Sequence, residues 1–362
     1  MQTKTLFDSI ESVVGEIRLG RMVIVTDDAS RENEGDLVMA AEKVTAEAIN
    51  FMAQHGRGLI CVPTTAARLR ALGITRMVAE NRESQKTDFM VSVDAREGIT
   101  TGISAHDRAR TIWAIAAPNA SARDLVQPGH VFPLQAKPGG VLQRAGHTEA
   151  AVDLAHLAGL TPAGVICEIL NRDGTMARLP QLTGFRRKHR LKMCSIRDLI
   201  AYRRVREKLV ERLEEADLPT PYGTFRLHCY RSLLDGRQHF ALVLGKLKTA
   251  GSILVRVQAE CVAGDVFHSK LFGKSDLIVQ SLQAIAREGC GVLVYMRHEG
   301  WGPMKGPKSN RKAPPHLREY GLGAQILVDL GIQKIRLLTS QPKTVVGLEG
   351  YGLRIVEQVK LD

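Results

Sequence analysis

The feature that most constrains this chain is a run of charges at residues 27–36, Asp-Asp-Ala-Ser-Arg-Glu-Asn-Glu-Gly-Asp. Five carboxylates and one guanidinium occupy these ten positions, between the apolar runs 22–25 and 37–40. The pattern predicts a strand, an acidic loop and a second strand, which holds the carboxylates close together. Such a loop, taken alone, is more often a solvated acidic hairpin. Like charges this close favour a bound cation, and carboxylate oxygens suit Mg²⁺ or Mn²⁺.

Length, composition and charge set broad limits. The chain has 362 residues, which is comfortable for two domains. No apolar run approaches membrane-spanning length and we recognise no signal peptide, so we expect a cytoplasmic protein. Six scattered cysteines without a CxxC pair favour reduced thiols. The net charge of +12 lies mostly after Pro219, without a zinc finger or an RNA-recognition signature. We therefore expect phosphate-bearing small molecules rather than nucleic acid as partners.

A second candidate site lies at residues 144–149, Arg-Ala-Gly-His-Thr-Glu, where a helix is predicted to begin. Free backbone N–H groups at a helix start, together with Arg144, are typical of a phosphate site. His147 in the first turn can offer a neutral ring nitrogen to a metal ion. An ordinary capped helix with an exposed histidine is the alternative.

Further candidates come from single polar residues. Glu168 lies within the apolar strand pattern 164–170, where a carboxylate is suited to proton transfer, although an edge-strand glutamate facing water is the alternative. His130 is either a structural imidazole or an acid/base group. Thr101 and its neighbours Thr100 and Ser104 precede a predicted helix and can contact a substrate or cap that helix.

Strands alternate with helices without a regular repeat. This predicts an α+β or layered α/β/α domain over residues 1–203. Residues 204–217 are rich in positively and negatively charged side chains and are predicted to form a helical linker. The linker is predicted to end at the proline-containing segment Leu218-Pro219-Thr220-Pro221. A second, smaller α/β domain is predicted over residues 218–362.

Taken together, five segments over about residues 6–203 resemble 3,4-dihydroxy-2-butanone 4-phosphate synthase. They are DDASRENEGD, TTGIS, PGHVFPL, RAGHTEAAVDL and GVICEILNRDGTMAR. The resemblance implies an α+β fold, a homodimer with active sites at the subunit interface, and dependence on Mg²⁺ or Mn²⁺. It also implies a lyase of riboflavin biosynthesis that converts D-ribulose 5-phosphate into L-3,4-dihydroxy-2-butanone 4-phosphate and formate.

The same resemblance implies roles for individual residues. Glu32 and His147 match the metal ligands, while His130, Glu168 and Glu34 match positions expected to act in catalysis. Ala145 stands where a glycine is frequent, which removes no functional group. The residues that match substrate contacts are Arg31, Glu32, Asp36, Thr101, Arg144, Ala145, Gly146, His147, Thr148 and Glu168.

Residues 218–362 resemble GTP cyclohydrolase II, for example in 256–265, RVQAECVAGD, and 318–327, REYGLGAQIL. That family holds zinc with one cysteine and a downstream Cys-x-Cys pair. Cys261 matches the first, but Phe272 and Lys274 stand at the other two positions. Trp301 replaces an arginine and His316 an aspartate, so we expect a domain without zinc and without cyclohydrolase activity. Its role stays open. One alternative treats the basic second half as an RNA- or nucleotide-binding module. The other is a bifunctional enzyme whose zinc site is rebuilt from His228, Cys229, Cys261, His268 or His316.

Overall fold

The computed structural model describes residues 6–29, 31–247, 251–268, 276–297, 316–340, 348 and 351–361, with the backbone alone over 316–320. The chain divides into two compact units, Met1–Arg203 and Arg204–Asp362. None of the helices in these described ranges is long and apolar enough to cross a membrane.

The first unit is built on a mixed sheet of eight strands with helices packed against it. Its helices are α1 (Ile10–Arg18), α2 (Ala46–Phe51), α3 (Ala66–Ala71), α4 (Ala105–Ala116), α5 (His147–Leu157), α6 (Leu179–His189) and α7 (Ile196–Arg206). Its strands are β1 (Val23–Thr26), β2 (Gly35–Ala40), β3 (Cys61–Thr64), β4 (Asp88–Phe89), β5 (Val93–Ala95), β6 (Leu125–Gln135), β7 (Gly164–Glu168) and β8 (Lys192–Ser195). The strand order is β4-β6-β3-β7-β2-β1-β8, and β5 pairs with β6.

Strands β1 and β2 lie inside this sheet and are buried along their whole length. Ile24 and Leu37 belong to one hydrophobic core, whereas their neighbours Val23 and Val38 belong to another. Successive side chains of a strand point to opposite faces, so both faces of these strands are covered. Burial on both faces explains why the two strands read as continuous apolar runs around the acidic segment.

The second unit contains a mixed sheet of seven strands in the order β15-β14-β12-β13-β11-β10-β9. Its strands are β9 (Val210–Thr220), β10 (Gly223–Ser232), β11 (Gln238–Leu244), β12 (Ile253–Ala259), β13 (Gly291–Met296), β14 (Lys334–Thr339) and β15 (Arg354–Lys360). Its helices are α8 (Val262–Asp265), α9 (Leu277–Glu288) and α10 (His316–Asp329). The prediction of two domains that each combine a sheet with helices is confirmed at this level.

The predicted helical linker over residues 204–217 is wrong for most of its length. Helix α7 ends at Arg206, and β9 begins at Val210 and pairs with β10. The charges that suggested a helix instead pair across strands: Glu211 bonds Arg231 at 2.5 Å, and Asp217 bonds Arg226 at 3.0 Å. Opposite charges on neighbouring strands stabilise a sheet much as i,i+4 pairs stabilise a helix, so the composition alone fits both.

The double-proline break has a different role from the one predicted. Pro219 lies in β9, which is an edge strand and so tolerates a residue without an N–H group. The chain then turns between Thr220 and Gly223 into β10. The second compact unit therefore begins at Arg204, inside α7, rather than at residue 218.

Candidate active site

The acidic loop, residues 27–34, joins β1 to β2 and is organised by Asp27. One carboxylate oxygen of Asp27 accepts the backbone N–H of Glu34 at 2.8 Å, and the other accepts that of Glu32 at 3.0 Å. The guanidinium of Arg31 contacts Asp27 at 3.0 Å and Glu32 at 2.5 Å. Arg31, predicted as a substrate contact, is thus engaged within the loop. Sequence analysis did not single out Asp27, because its role depends on loop geometry.

His147 is the first residue of α5 and is buried against this loop. Its Nδ1 atom lies 3.8 Å from carboxylate oxygens of both Glu32 and Asp36. Its Nε2 atom lies 3.2 Å from the carbonyl oxygen of Val25, so this nitrogen donates to the backbone. That hydrogen bond fixes the ring and leaves Nδ1 directed at the carboxylates, which is the arrangement of a metal-binding histidine.

The electrostatics of the acidic cluster leave negative charge to be neutralised. Burial, with a smaller contribution from Glu168, raises the pKa of Asp36 to about 7 against the opposing effect of His147. Burial and then the charge of Glu32 raise the pKa of Glu34. The imidazole of His147 holds the pKa of Glu32 below its usual value. Burial opposes the charged imidazole, yet the surrounding carboxylates, chiefly Asp36 and Glu32, raise the pKa of His147 to about 9.

The residues present fit a hard divalent cation. Asp27, Glu32 and His147 offer ligand atoms that lie within 4.8 Å of one another, and they are the only such set of three in the described part of the chain. Oδ1 of Asp36 is buried without a hydrogen-bond partner beside them. Buried carboxylate oxygens with one imidazole nitrogen are ligands that Mg²⁺ and Mn²⁺ accept.

Glu168 joins the same cluster through the sheet. It lies opposite Asp36 in the register of β2 with β7, so the two side chains are on one face. Its Oε2 atom accepts the backbone N–H of Leu59 at 2.8 Å. A Cβ atom at Gly58 would lie 2.4 Å from Oε2 of Glu168. Glycine at position 58 therefore leaves room for this carboxylate.

The helix start that was predicted as a phosphate site is the first turn of α5. Gly146 is the N-cap residue, Thr148 is buried in the first turn and Ala145 is exposed. The guanidinium of Arg144, however, donates to the buried Glu149 at 2.7 Å. It also donates to the hydroxyl of Thr87 at 2.6 Å and to the carbonyl of Gln85 at 3.3 Å. Arg144 is therefore engaged by protein groups beside the helix start.

His130 and Thr101 lie in a second cluster. Nδ1 of His130 is 2.7 Å from Oδ2 of Asp94, and the backbone N–H of His130 donates to Oδ1 at 2.9 Å. A Cβ atom at Gly102 would lie within 2.5 Å of both side chains, so the loop that carries the exposed Thr101 packs on this pair. Over the described residues, no hydrogen bond or ion pair joins His130 to Glu32, Glu168 or His147. Asp94 was missed because the contact forms only when β5 pairs with β6, where a register shift next to Asp94 brings its side chain to His130.

Only some of the residues considered as zinc ligands in the second unit belong to the described part of the chain. Phe272, Lys274 and Trp301 lie outside the described residues, and only the backbone of His316 is described. Cys261 is buried, and its backbone N–H donates to Asp265 at 2.7 Å. Within the described ranges of this unit, no three histidine, cysteine or carboxylate side chains come together as a metal site.

Comparisons with known proteins identify the class. Residues 11–202 match the family described as 3,4-dihydroxy-2-butanone 4-phosphate synthase, and residues 211–360 match the family described as GTP cyclohydrolase II. The chain belongs to the 3,4-dihydroxy-2-butanone 4-phosphate synthase family, and a GTP cyclohydrolase II domain is fused behind its synthase domain.

Individual relatives resemble the whole chain. The riboflavin biosynthesis protein RibBA of Aquifex aeolicus (strain VF5) is 53% identical over 98% of this chain and 92% of its own length. The crystal structure of RibBX, a two-domain 3,4-dihydroxy-2-butanone 4-phosphate synthase from A. baumannii, is 43% identical, with a TM-score of 0.82 over 98% of this chain and 100% of its own. A synthase structure in complex with two magnesium ions is 46% identical over 54% of this chain and 96% of its own, with a TM-score of 0.52. The two family resemblances read from the sequence are confirmed.

Proposed function

We propose that the first unit converts D-ribulose 5-phosphate into L-3,4-dihydroxy-2-butanone 4-phosphate and formate, with Mg²⁺ or Mn²⁺ bound at Asp27, Glu32 and His147. The observation that carries the proposal is the convergence of these three ligands beside the orphaned oxygen of Asp36. The reaction needs no co-reactant, because the atoms of the five-carbon substrate equal those of the four-carbon product and formate. The magnesium complex of a related synthase supports the choice of metal.

The chain's own residues can supply the remaining chemistry. Asp27, Glu32 and His147 would hold the divalent cation, which would supply Lewis-acid polarisation of the oxygens next to the substrate carbonyl. Asp36, Glu34 and Glu168 lie near one another, and one of them would remove the proton from the carbon beside that carbonyl. The pKa of Asp36, raised to about 7, suits acid/base work near neutral pH. The start of α5, including Gly146 and Thr148, is suited to the phosphate group.

The test is a formate-release assay with ribulose 5-phosphate and Mg²⁺ on wild type, Glu32→Gln and His147→Asn. We expect both substitutions to abolish metal-dependent release, because each removes a ligand. Glu47→Gln, at an exposed glutamate of α2, is the matched control and should retain activity. Thermal unfolding checks that the variant of the buried His147 is folded. Wild type that releases no formate would refute the proposal, and near-normal turnover by either variant would remove that ligand from it.

A homodimer with shared active sites belongs to the same proposal. It would give the His130–Asp94 pair a place in the chemistry, since no described contact joins that pair to the acidic cluster within one chain. Light scattering should give twice the mass of the chain. Mixing inactive Glu32→Gln and His130→Ala proteins should recover part of the activity if each site uses one residue from each subunit. No recovery after subunit exchange would place the two residues in the same subunit.

We further propose that the second unit lacks GTP cyclohydrolase II activity and binds no zinc. The supporting observations are Phe272, Lys274, Trp301 and His316 at positions where that family has zinc ligands, a phosphate-binding arginine and an acid/base aspartate. RibBX, whose two domains align with nearly the whole of this chain, is described as a 3,4-dihydroxy-2-butanone 4-phosphate synthase. Zinc analysis of the purified protein and a GTP turnover assay test this. One tightly held zinc per chain, or ring-opened pyrimidine formed from GTP, would establish the bifunctional alternative instead.

A further inference from the structure

Arg178 contacts the acidic loop from a distant part of the sequence. It is the N-cap residue of α6 and lies 146 residues beyond Glu32. Its Nη1 atom donates to the carbonyl oxygen of Glu32 at 2.7 Å and to that of Asn33 at 2.5 Å. The guanidinium also lies 3.8 Å from the carboxylate of Glu34. None of these contacts uses the carboxylate of Glu32, which stays directed at His147.

These two hydrogen bonds add to the backbone hydrogen bonds that the loop makes within itself. The N–H groups of Glu32 and Glu34 donate to Asp27, and that of Asn33 donates to the carbonyl of Asp28. The carbonyl of Glu34 accepts from the N–H of Asp27. Arg178 adds bonds to two further carbonyl groups, those of Glu32 and Asn33. Because the described residues of the loop lie outside helices and strands, its shape depends on such individual bonds.

The loop also contains a residue in an uncommon backbone conformation. Asn33 has φ of 57°, in the left-handed region that non-glycine residues rarely adopt. Arg178 itself is well anchored, since the N–H group of its own backbone donates to Gln181 and the helix that follows packs on the start of β2. At that contact a Cβ atom on Gly35 would lie 2.6 Å from Leu182, so no gap separates α6 from the strand.

We propose that Arg178 is a positioning residue that sets the metal affinity of the site by holding the backbone of Glu32 and Asn33. The inference rests on the proposed function in that Glu32 is taken as a metal ligand. Removal of Arg178 leaves two carbonyl groups to water and lets the left-handed turn relax, so the carboxylate of Glu32 is no longer held 3.8 Å from His147. Groups that orient metal ligands typically contribute about 10-fold to 100-fold in affinity.

The experiment is a Mn²⁺ titration of the intact protein, followed by the electron paramagnetic resonance signal of the free ion. We expect Arg178→Ala to weaken Mn²⁺ binding by about 10-fold or more. Arg178→Lys should be intermediate, because one ammonium nitrogen can donate to both carbonyls but its side chain is one bond shorter. Arg187→Ala removes an exposed arginine from the same helix and should bind Mn²⁺ as wild type does.

Two further measurements separate positioning from loss of structure. Hydrogen exchange of residues 31–36 in metal-free protein should be faster in Arg178→Ala, while exchange in the core strands should be unchanged. Turnover at saturating Mn²⁺ should recover most of the wild-type rate, with an unchanged KM for ribulose 5-phosphate. If Arg178→Ala does not fold, Arg178→Lys takes its place in every measurement.

The outcomes distinguish this inference from the proposed function. Folded Arg178→Ala that binds Mn²⁺ within threefold of wild type, with unchanged loop exchange, would overturn the role of Arg178. Wild type that binds Mn²⁺ but releases no formate would overturn the proposed reaction and leave the Arg178 result standing.

Discussion

Asp94→Asn is expected to disable the acid/base function predicted for His130 while keeping the size of the side chain. Both carboxylate oxygens of Asp94 contact His130. Oδ1 accepts the backbone N–H of His130 at 2.9 Å, and Oδ2 lies 2.7 Å from Nδ1 of the ring. The carboxylate therefore keeps the imidazole proton on Nδ1 and leaves Nε2 able to accept a proton. The imidazole is 43% exposed, whereas Asp94 is 8% exposed, so the ring can reach a substrate and its partner cannot.

The size of the effect follows from what an amide can do in that position. Asparagine has one oxygen, and the backbone N–H of His130 requires it as an acceptor. The amide nitrogen must then face Nδ1 and donate to it, which places the imidazole proton on Nε2 and removes the free lone pair. Loss of the correct tautomer at a comparable aspartate–histidine pair costs about 10⁴-fold in turnover. We expect a fall of about 10²-fold to 10⁴-fold, or about 2.7 to 5.4 kcal/mol in the activation free energy.

A double-mutant cycle is the assay. Formate release is measured for Asp94→Asn, His130→Ala and the double variant, with urea unfolding to check that each is folded. If Asp94 acts only through His130, the double variant should be no slower than His130→Ala. An equal effect of Asp94→Asn in both backgrounds, or more than a third of the wild-type turnover in the single variant, would refute this reasoning.

Three further predictions concern single positions. Glu168→Gln keeps the hydrogen bond from Leu59 but not the ionisable group, so formate release should fall by about 10²-fold, and a change below about threefold would assign Glu168 to structure. Gly35→Ala should lower the free energy of unfolding in urea by about 1–3 kcal/mol, because its Cβ atom would lie 2.6 Å from Leu182. Hydrogen bonds from the Thr100 loop lower the pKa of Asp107 to about 2, below its usual value. The stability that Asp107 contributes is therefore fully present above about pH 4 and lost as the pH falls through about 2, so wild type and Asp107→Asn should converge in urea unfolding only as the pH approaches 2.

The acidic loop and His147 could be found from the sequence because their signals are local. Two apolar runs flank the charges at 27–36, and a strand needs only a few such residues to be recognised. The start of α5 has its own signal in Gly146 and His147, ahead of a helix-forming run. That the two motifs meet depends on the order of strands in the sheet, which no local pattern records. The family resemblance supplied that step before the structure did.

The residues that the sequence did not reveal depend on contacts between distant segments. Asp94 and His130 meet through the pairing of β5 with β6, and Arg178 reaches the acidic loop from 146 residues away. Neither Asp94 nor Arg178 stands out in its own segment, because a single aspartate or arginine in a loop or short strand is common. The error at β9 has the same origin. Alternating charges fit a helix face or a strand pair, and only the partner strand β10 decides between them.

The distribution of charge in the acidic cluster is itself an argument for a cation. Burial of Asp36 against Glu168 raises its pKa to about 7, and the pKa of Glu34 is raised as well. The surroundings therefore disfavour the charged form of these carboxylates, although the cationic side chains of Arg31 and His147 lie among them. A protein that needed only to bury this corner of the sheet would be more stable with apolar side chains there, because a buried charge costs several kcal/mol even when it is paired. A further positive charge between these carboxylates would make the arrangement more favourable, and the divalent cation proposed at Asp27, Glu32 and His147 would supply it.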